Sequence, residues 1–393
     1  MSSTDAPAPT ATILSGIGEI AAADWDLCAG TGNPFIRHAF LDALERSGSA
    51  TAETGWLPRH VVVRDGGGRV VACAPLYAKS HSYGEYVFDW GWADAYRRAG
   101  GAYYPKLQCA VPFTPVTGPR LLVRPDLTEA ETIAATDALA GALTLVADRL
   151  DVSSLHVTFA REAEIERLGQ AGFLTRMGYQ YHWENRGYAA FADFLADLSS
   201  RKRKQIRKER DQVGACGLRL ATLRGAGITS EHWDQFHRLY RATVDRKWGD
   251  AYLKRDFFEA LSASPLGGDA VLVAAFDGPN MVAGAFNMLG PDTLFGRNWG
   301  GSVDVPFLHF EICYYRAIDL AIELGLARVE AGAQGDHKLG RGYLPTPTWS
   351  AHRIKDAGLE RAVARFLADE RRAVAADIAE LAEAGPFRKD NGN

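Results

Sequence analysis

One pattern occurs twice in this chain. Residues 59–78 read RHVVVRDGGGRVVACAPLYA, an apolar run, an Asp65-Gly66 turn and a second apolar run. Residues 270–289 read AVLVAAFDGPNMVAGAFNML, the same grammar around Asp277-Gly278. Asp-Gly between apolar runs marks a hairpin, because the turn needs positive φ and glycine supplies it without a steric penalty. Each hairpin leads to a glycine- and aromatic-rich segment (83–92 and 293–301), read as a third strand, then to a long helical stretch and a short strand. A β-turn-β-β-α-β unit present twice predicts an internal duplication. The expected fold class is α/β with mixed sheets, in two tandem units, each a twisted mixed sheet flanked by helices.

The 393 residues are too many for one ordinary core, so domains are expected over 13–188 and 189–385. A net charge of −4 excludes a global attraction to DNA or to a membrane surface. Five scattered cysteines without a CxxC pair suit a reducing compartment. His309, His337 and His352 lack metal-ligand spacing, so no metal is expected. The N-terminus lacks the basic start and apolar core of a signal peptide, and no apolar run reads as long enough to span a bilayer. A cytoplasmic protein is expected, with residues 1–12 and 386–393 poorly ordered.

Periodicity predicts helices over 25–47, 128–150, 162–169, 231–247, 253–262, 306–324 and 360–384. Strands are expected at 155–159, at 328–331 and at 179–188, the last closing the first half. The proline-punctuated stretch 111–123 is expected to rim a groove. A helix from Phe191 would align Phe191, Leu195, Leu198, Ile206 and Val213 on one stripe. Its opposite face holds Arg201, Lys202, Arg203, Lys204, Arg207, Lys208 and Arg210. Those cations have three readings: a solvated face, a site for a nucleotide-linked precursor's phosphates, or a site for the acceptor stem of a charged tRNA.

Three groups of residues carry candidate chemistry. In the first half, Tyr83, Glu85, Asp89, Trp92, Tyr103, Tyr104 and Lys106, joined later by His182 and Trp183, alternate aromatics with acids. They suit a groove for a polar substrate with flat or sugar-like parts, or equally a tyrosine-rich core. The segment 330–343, EAGAQGDHKLGRGY, is polar and glycine-dense beside a core strand. It gathers Glu330, Gln334, Asp336, His337, Lys338 and Arg341 at a strand end, where sites of parallel sheets lie. Lys338 and Arg341 suit an anionic ligand, His337 a proton shuttle. Glu311, on a helix from Pro306, turns toward the apolar face, where a raised pKa would suit a base for an amine. The competing reading places Glu311 in a first helical turn, favoured by the helix dipole.

The order of elements resembles the GNAT acyltransferase fold, present twice, as in Fem-type ligases. More closely, the chain resembles the N-acyltransferase family labelled peptidoglycan biosynthesis/recognition. The matching segments are HSYGEYVFDWGWADAY, YYPKLQCAVPFTPVTGPRLL, QYHWENRGYAAFADFLADLSSRKRKQIRKER, FGRNWGG, LHFEICYY and EAGAQGDHKLGRGYLP. One departure is that the long helical arm of some Fem-type ligases has no counterpart here.

The resemblance implies transfer of an activated acyl or aminoacyl group to an amine acceptor, such as a cell-wall or peptide-like precursor. Acyl-CoA or an aminoacyl-tRNA would be a donor substrate, with no tightly bound cofactor. Arg297, Trp299, Gly300, Gly301 and Ser302 fall where a GNAT phosphate-binding turn belongs. Glu311 or Glu330 would act as base, helped by His337, and Tyr343 would protonate the leaving group. Two alternatives stand beside this: an aminoacyl-tRNA-dependent Fem-type ligase, and a non-catalytic module binding peptidoglycan or a nucleotide sugar.

Overall fold

The computed structural model describes residues 9–388, apart from 247, 248, 250, 333 and 334. The strands are β1 (Thr10–Leu14), β2 (Trp56–Pro58), β3 (His60–Arg64), β4 (Val70–Ala74), β5 (Leu76–Lys79), β6 (Lys106–Cys109), β7 (Leu122–Val123), β8 (Ser154–Ala160), β9 (Leu174–Glu184), β10 (Arg219–Arg224), β11 (Ala270–Asp277), β12 (Asn280–Leu289), β13 (Thr293–Gly301), β14 (Arg328–Glu330) and β15 (Leu344–Ile354). The helices are α1 (Ala22–Ala29), α2 (His38–Arg46), α3 (Trp90–Arg98), α4 (Glu129–Arg149), α5 (Glu162–Gln170), α6 (Phe191–Asp197), α7 (Ser200–Gly214), α8 (Ser230–Asp245), α9 (Arg255–Ser262), α10 (Leu308–Phe310), α11 (Arg316–Glu323) and α12 (Ala357–Glu383). A π turn, Glu311–Tyr315, joins α10 to α11.

Two compact units form, one from residues 1–178 and 348–374, the other from 179–347 and 375–393. The division departs from the expected cut after residue 188, because β9 and β15 each start in one unit's residues and end in the other's. Gln334 and Lys247 lie outside the described residues, as do 1–8 and 389–393 of the two tails. Thr10–Leu14 is ordered into β1, paired with β3.

In the second unit β10, β11, β12 and β13 pair antiparallel in turn, β13 and β14 pair parallel, and β9 closes the edge antiparallel to β14. The first unit repeats these orientations. β1, β3 and β4 are antiparallel, β5 and β6 antiparallel, β6 and β8 parallel, and β15 closes antiparallel to β8. The two units thus form a tandem pair of mixed α/β sheets with the same succession of strand pairings. One difference is Pro75, which interrupts the second hairpin strand. Lacking an N–H, it ends β4, and the chain leaves one sheet for another at β5.

Two expected strands are corrected. The third strand of the first repeat is Lys106–Cys109, whereas 83–92 is a loop running into α3. The strand over 179–188, expected to close the first half, pairs instead with β14 of the second unit. The single helices expected over 25–47 and from Phe191 are each broken in two. α4 is long and apolar enough to cross a membrane, contrary to the sequence reading, yet it buries Ala135, Leu139, Leu143 and Val146 in the first unit's core.

Candidate functional site

The second unit holds an opening where its parallel strands part. β13 and β14 are in register only over Thr293–Phe295 and Arg328–Glu330. Beyond Phe295, β13 continues to Gly301 against β12 alone among the described strands. The other chain turns away through Gly332, at φ 80°, a conformation open to glycine. Opposite β12, Asn298 faces Phe286 and Gly296 faces Asn287, leaving Arg297 as an extra residue, a β-bulge. Glu330 ends β14 at the mouth of this opening, buried, with its carboxylate 3.9 Å from His182 Nε2. Burial pushes His182 down to about 3, with Arg328 and Lys338 adding to the effect, so the ring is neutral at pH 7.

The first unit closes the corresponding place. After β6 the chain returns as 110–121, where Gly118 N–H donates to Phe159 O (2.9 Å) and Arg120 Nε to Thr158 O (3.0 Å). Arg120 also donates to Val116 O, and Glu164 accepts from the backbone of Arg120 and Leu121. The stretch 111–123, expected to rim a groove, is therefore mostly core.

The chain matches, over residues 16–389, the FemAB-like family, described as peptidoglycan biosynthesis/recognition. It belongs to the FemAB-like family. Among solved structures, FemX shares 13% identity at a TM-score of 0.55, covering 88% of this chain and 98% of FemX. L-PGS from Bacillus licheniformis shares 10% identity at a TM-score of 0.51, covering 86% of this chain and 98% of that one. Comparison with curated proteins finds no match.

Within this FemAB-like chain the candidate residues separate sharply. Glu311 is no free base: Arg210 donates to both its oxygens (3.1 and 3.0 Å) and Arg316 adds a third bond (3.0 Å). The carboxylate anchors α7 to the π turn. Tyr343 is wholly buried, with its hydroxyl on Tyr314 O (3.2 Å), so no leaving group reaches it. His337 stays exposed and is hydrogen-bonded to the Tyr314 hydroxyl (2.9 Å). Burial, with Arg341 and Lys338 nearby, lowers its pKa.

The cations expected to bind an anion are engaged internally. Arg341 donates to both Glu209 oxygens (2.9 Å each) and stacks on Phe310. Lys338 is buried, donates to Gly332 O (2.9 Å), and is lowered to about 8 by burial. Gly300 and Gly301 pack against α8 and its C-terminal end. A Cβ at Gly300 would lie 2.4 Å from Tyr240 N, because α8 crosses the strand there. The Gly301 N–H donates to Thr243 Oγ1 (3.1 Å) and its carbonyl accepts from Arg246 (2.6 Å). Ser302 Oγ donates to Val282 O. Trp299 rests on His309, ring centroids 5.0 Å apart.

Most of the expected first-half wall is interior. Glu85, Asp89, Trp92, Tyr103 and Lys106 are buried, Tyr104 is half-buried, and Tyr83 is exposed. Lys106 Nζ bonds Ser82 (2.8 Å), Glu85 (2.7 Å) and Asp89. Tyr103 donates to Asp89 (2.8 Å), and His156 pairs with His352 through their Nδ1 atoms (2.7 Å). Trp183 is core, packed on Phe194.

Burial holds His156 down at about 3 and His352 well below its ordinary value. Unfolded, both protonate near 6.5. Below that pH the unfolded chain binds the extra protons, so stability is lost as pH falls from about 6.5 toward 3. Each histidine contributes about 1.4 kcal/mol per pH unit in that window. Urea midpoints measured between pH 7 and 4 should fall accordingly, and a flat profile would contradict the assignment.

Sequence reasoning passes over Tyr314 and Asn298 and puts Arg210 on the wrong face. A lone asparagine inside a strand was the one available signal, because Asn is depleted there. Arg210 was grouped with its exposed neighbours, although at 100° per residue it lies beside Ile206 and Val213.

Proposed function

We propose that this protein is an N-acyltransferase whose chemistry lies in the second unit, at the parting of β13 and β14. The carrying observation is Glu330, a carboxylate seated where the parallel pair opens. A donor carbonyl lies in the opening and an acceptor amine beside Glu330. The amine nitrogen attacks the carbonyl carbon, forming a C–N bond. The bond to the leaving sulfur or oxygen breaks, and Glu330 takes the proton the amine loses. The filled counterpart in the first unit supports one donor site per chain. The family's description supports a peptide-like cell-wall acceptor.

A second reading, an aminoacyl-tRNA donor, is favoured by α7. Arg201, Lys204, Arg207 and Lys208 are exposed there, and no ion pair engages them among the described residues. One experiment tests both readings. The full chain is incubated with an amine-bearing peptidoglycan precursor and either acyl-CoA or charged tRNA, across 50–300 mM salt, and products are weighed by mass spectrometry. A new amide from either donor is expected, and none from both would sink the proposal. If tRNA is the donor, its affinity should fall with a log–log salt slope of roughly −3 to −4 for four phosphate contacts.

A further inference from the structure

Register places several polar groups on one face of the second unit's sheet, on both sides of its opening. Glu330 and His182 are cross-strand partners and share a face. Phe295 is Glu330's parallel partner, and Met288 is Phe295's. That face also carries Phe286, whose ring lies 5.6 Å from Trp233 of α8. Asn298 is the partner of Phe286 and stands on it too, across the opening from Glu330. The alternate residues Trp183, Leu294 and Val329 lie in the core on the other side.

Two acceptors on this face lack donors. Asn298 Oδ1 is buried without a hydrogen-bond partner among the described residues, and so is His182 Nδ1. His182 Nε2 faces Gln180 Oε1 (3.4 Å) and the Glu330 carboxylate (3.9 Å), which places the ring proton on Nε2. Nδ1 is then a lone pair. Buried acceptors left unmade are costly, and they are rare in folded proteins unless something else satisfies them. A group that brings N–H donors and a positive charge can satisfy such a lone pair and complements Glu330. A phosphate, carboxylate or plain acyl chain brings no N–H donor.

We propose that this face recognises a primary ammonium group of the substrate, with Asn298 as a specificity-determining residue. The inference rests on the transferase reading above and names the chemistry its site selects. The ammonium has two possible sources: the acceptor amine before it loses its proton, or the α-ammonium of an aminoacyl donor.

Calorimetric titration of the full chain tests this with two matched pairs. Alanyl-CoA and propionyl-CoA differ by the donor ammonium, and glycinamide and N-acetylglycinamide by the acceptor amine. The wild type should bind the ammonium-bearing member of one pair about tenfold or more tightly, and the pair that discriminates identifies the source. Asn298→Leu should erase that preference, while Asn298→Asp, which keeps an acceptor and adds charge, should retain or enlarge it. Equal binding within both pairs by the wild type would overturn the inference. So would a preference that survives in folded Asn298→Leu, or one lost in Asn298→Asp. Since the readout is binding, a failure to form amide with any donor would sink the transferase reading separately.

Discussion

Lys106→Met is expected to destabilise the first unit by about 3–5 kcal/mol, the cost of leaving a buried carboxylate without its counter-ion. Lys106 is fully buried and holds Ser82, Glu85 and Asp89 together. Burial alone would raise Asp89, but Lys106 at hydrogen-bond distance holds it well below the usual carboxylate range. Burial would likewise lower Lys106, yet Glu85 and Asp89 together raise it. Each ion is tolerable inside the protein because the others are there. Methionine matches the volume and removes the charge, so Asp89 and Glu85 must take up protons or draw water inward. Chemical denaturation followed by tryptophan fluorescence should show the loss at pH 7. The deficit should shrink toward pH 4, where the carboxylates protonate. A loss below about 1 kcal/mol would show that the cluster is not held by this lysine. The same geometry leaves the lysine buried and engaged by three side chains.

The hairpins were legible because their signals are local: an Asp-Gly turn and alternation within eight residues on either side. The closing strands were not, because their partners are remote. β9 meets β14 through His182 and Glu330, and β15 meets β8 through His352 and His156. No composition within either strand announces a partner more than a hundred residues away. The segment 83–92 read as a strand from its aromatics, whereas the true third strand, Lys-Leu-Gln-Cys, is short and polar. It is held as a strand with the buried carboxylates bonding Lys106 and Thr158 accepting from the Gln108 amide. The candidate site was half legible. Glu330, the proposed base, is suggested by its place at a strand end, a topological argument. Arg341, Lys338 and Tyr343 shared that segment but turned inward, and a glycine-dense stretch does not say which of its side chains reach the ligand.

Glu330→Gln should lower kcat by about 10²- to 10⁴-fold, the range for removing a positioned general base. The substitution keeps the shape of the side chain and its ability to face His182, so the strand pairing through Phe295 and His182 is preserved. What it removes is the carboxylate's capacity to accept the proton released as the C–N bond forms. Glu311→Gln separates chemistry from architecture. Glu311 receives Arg210 and Arg316, so a neutral amide there weakens the tie between α7 and the π turn. Its signature should be a lowered unfolding midpoint, with turnover per folded molecule close to wild type. Glu330→Gln should give the reverse, an unfolding midpoint within about 1 kcal/mol of wild type and little turnover. If Glu330→Gln turns over within threefold of wild type, proton removal must pass through another group. His337 with the Tyr314 hydroxyl would then be the next pair to alter, since the histidine is exposed and the two are joined by a 2.9 Å hydrogen bond.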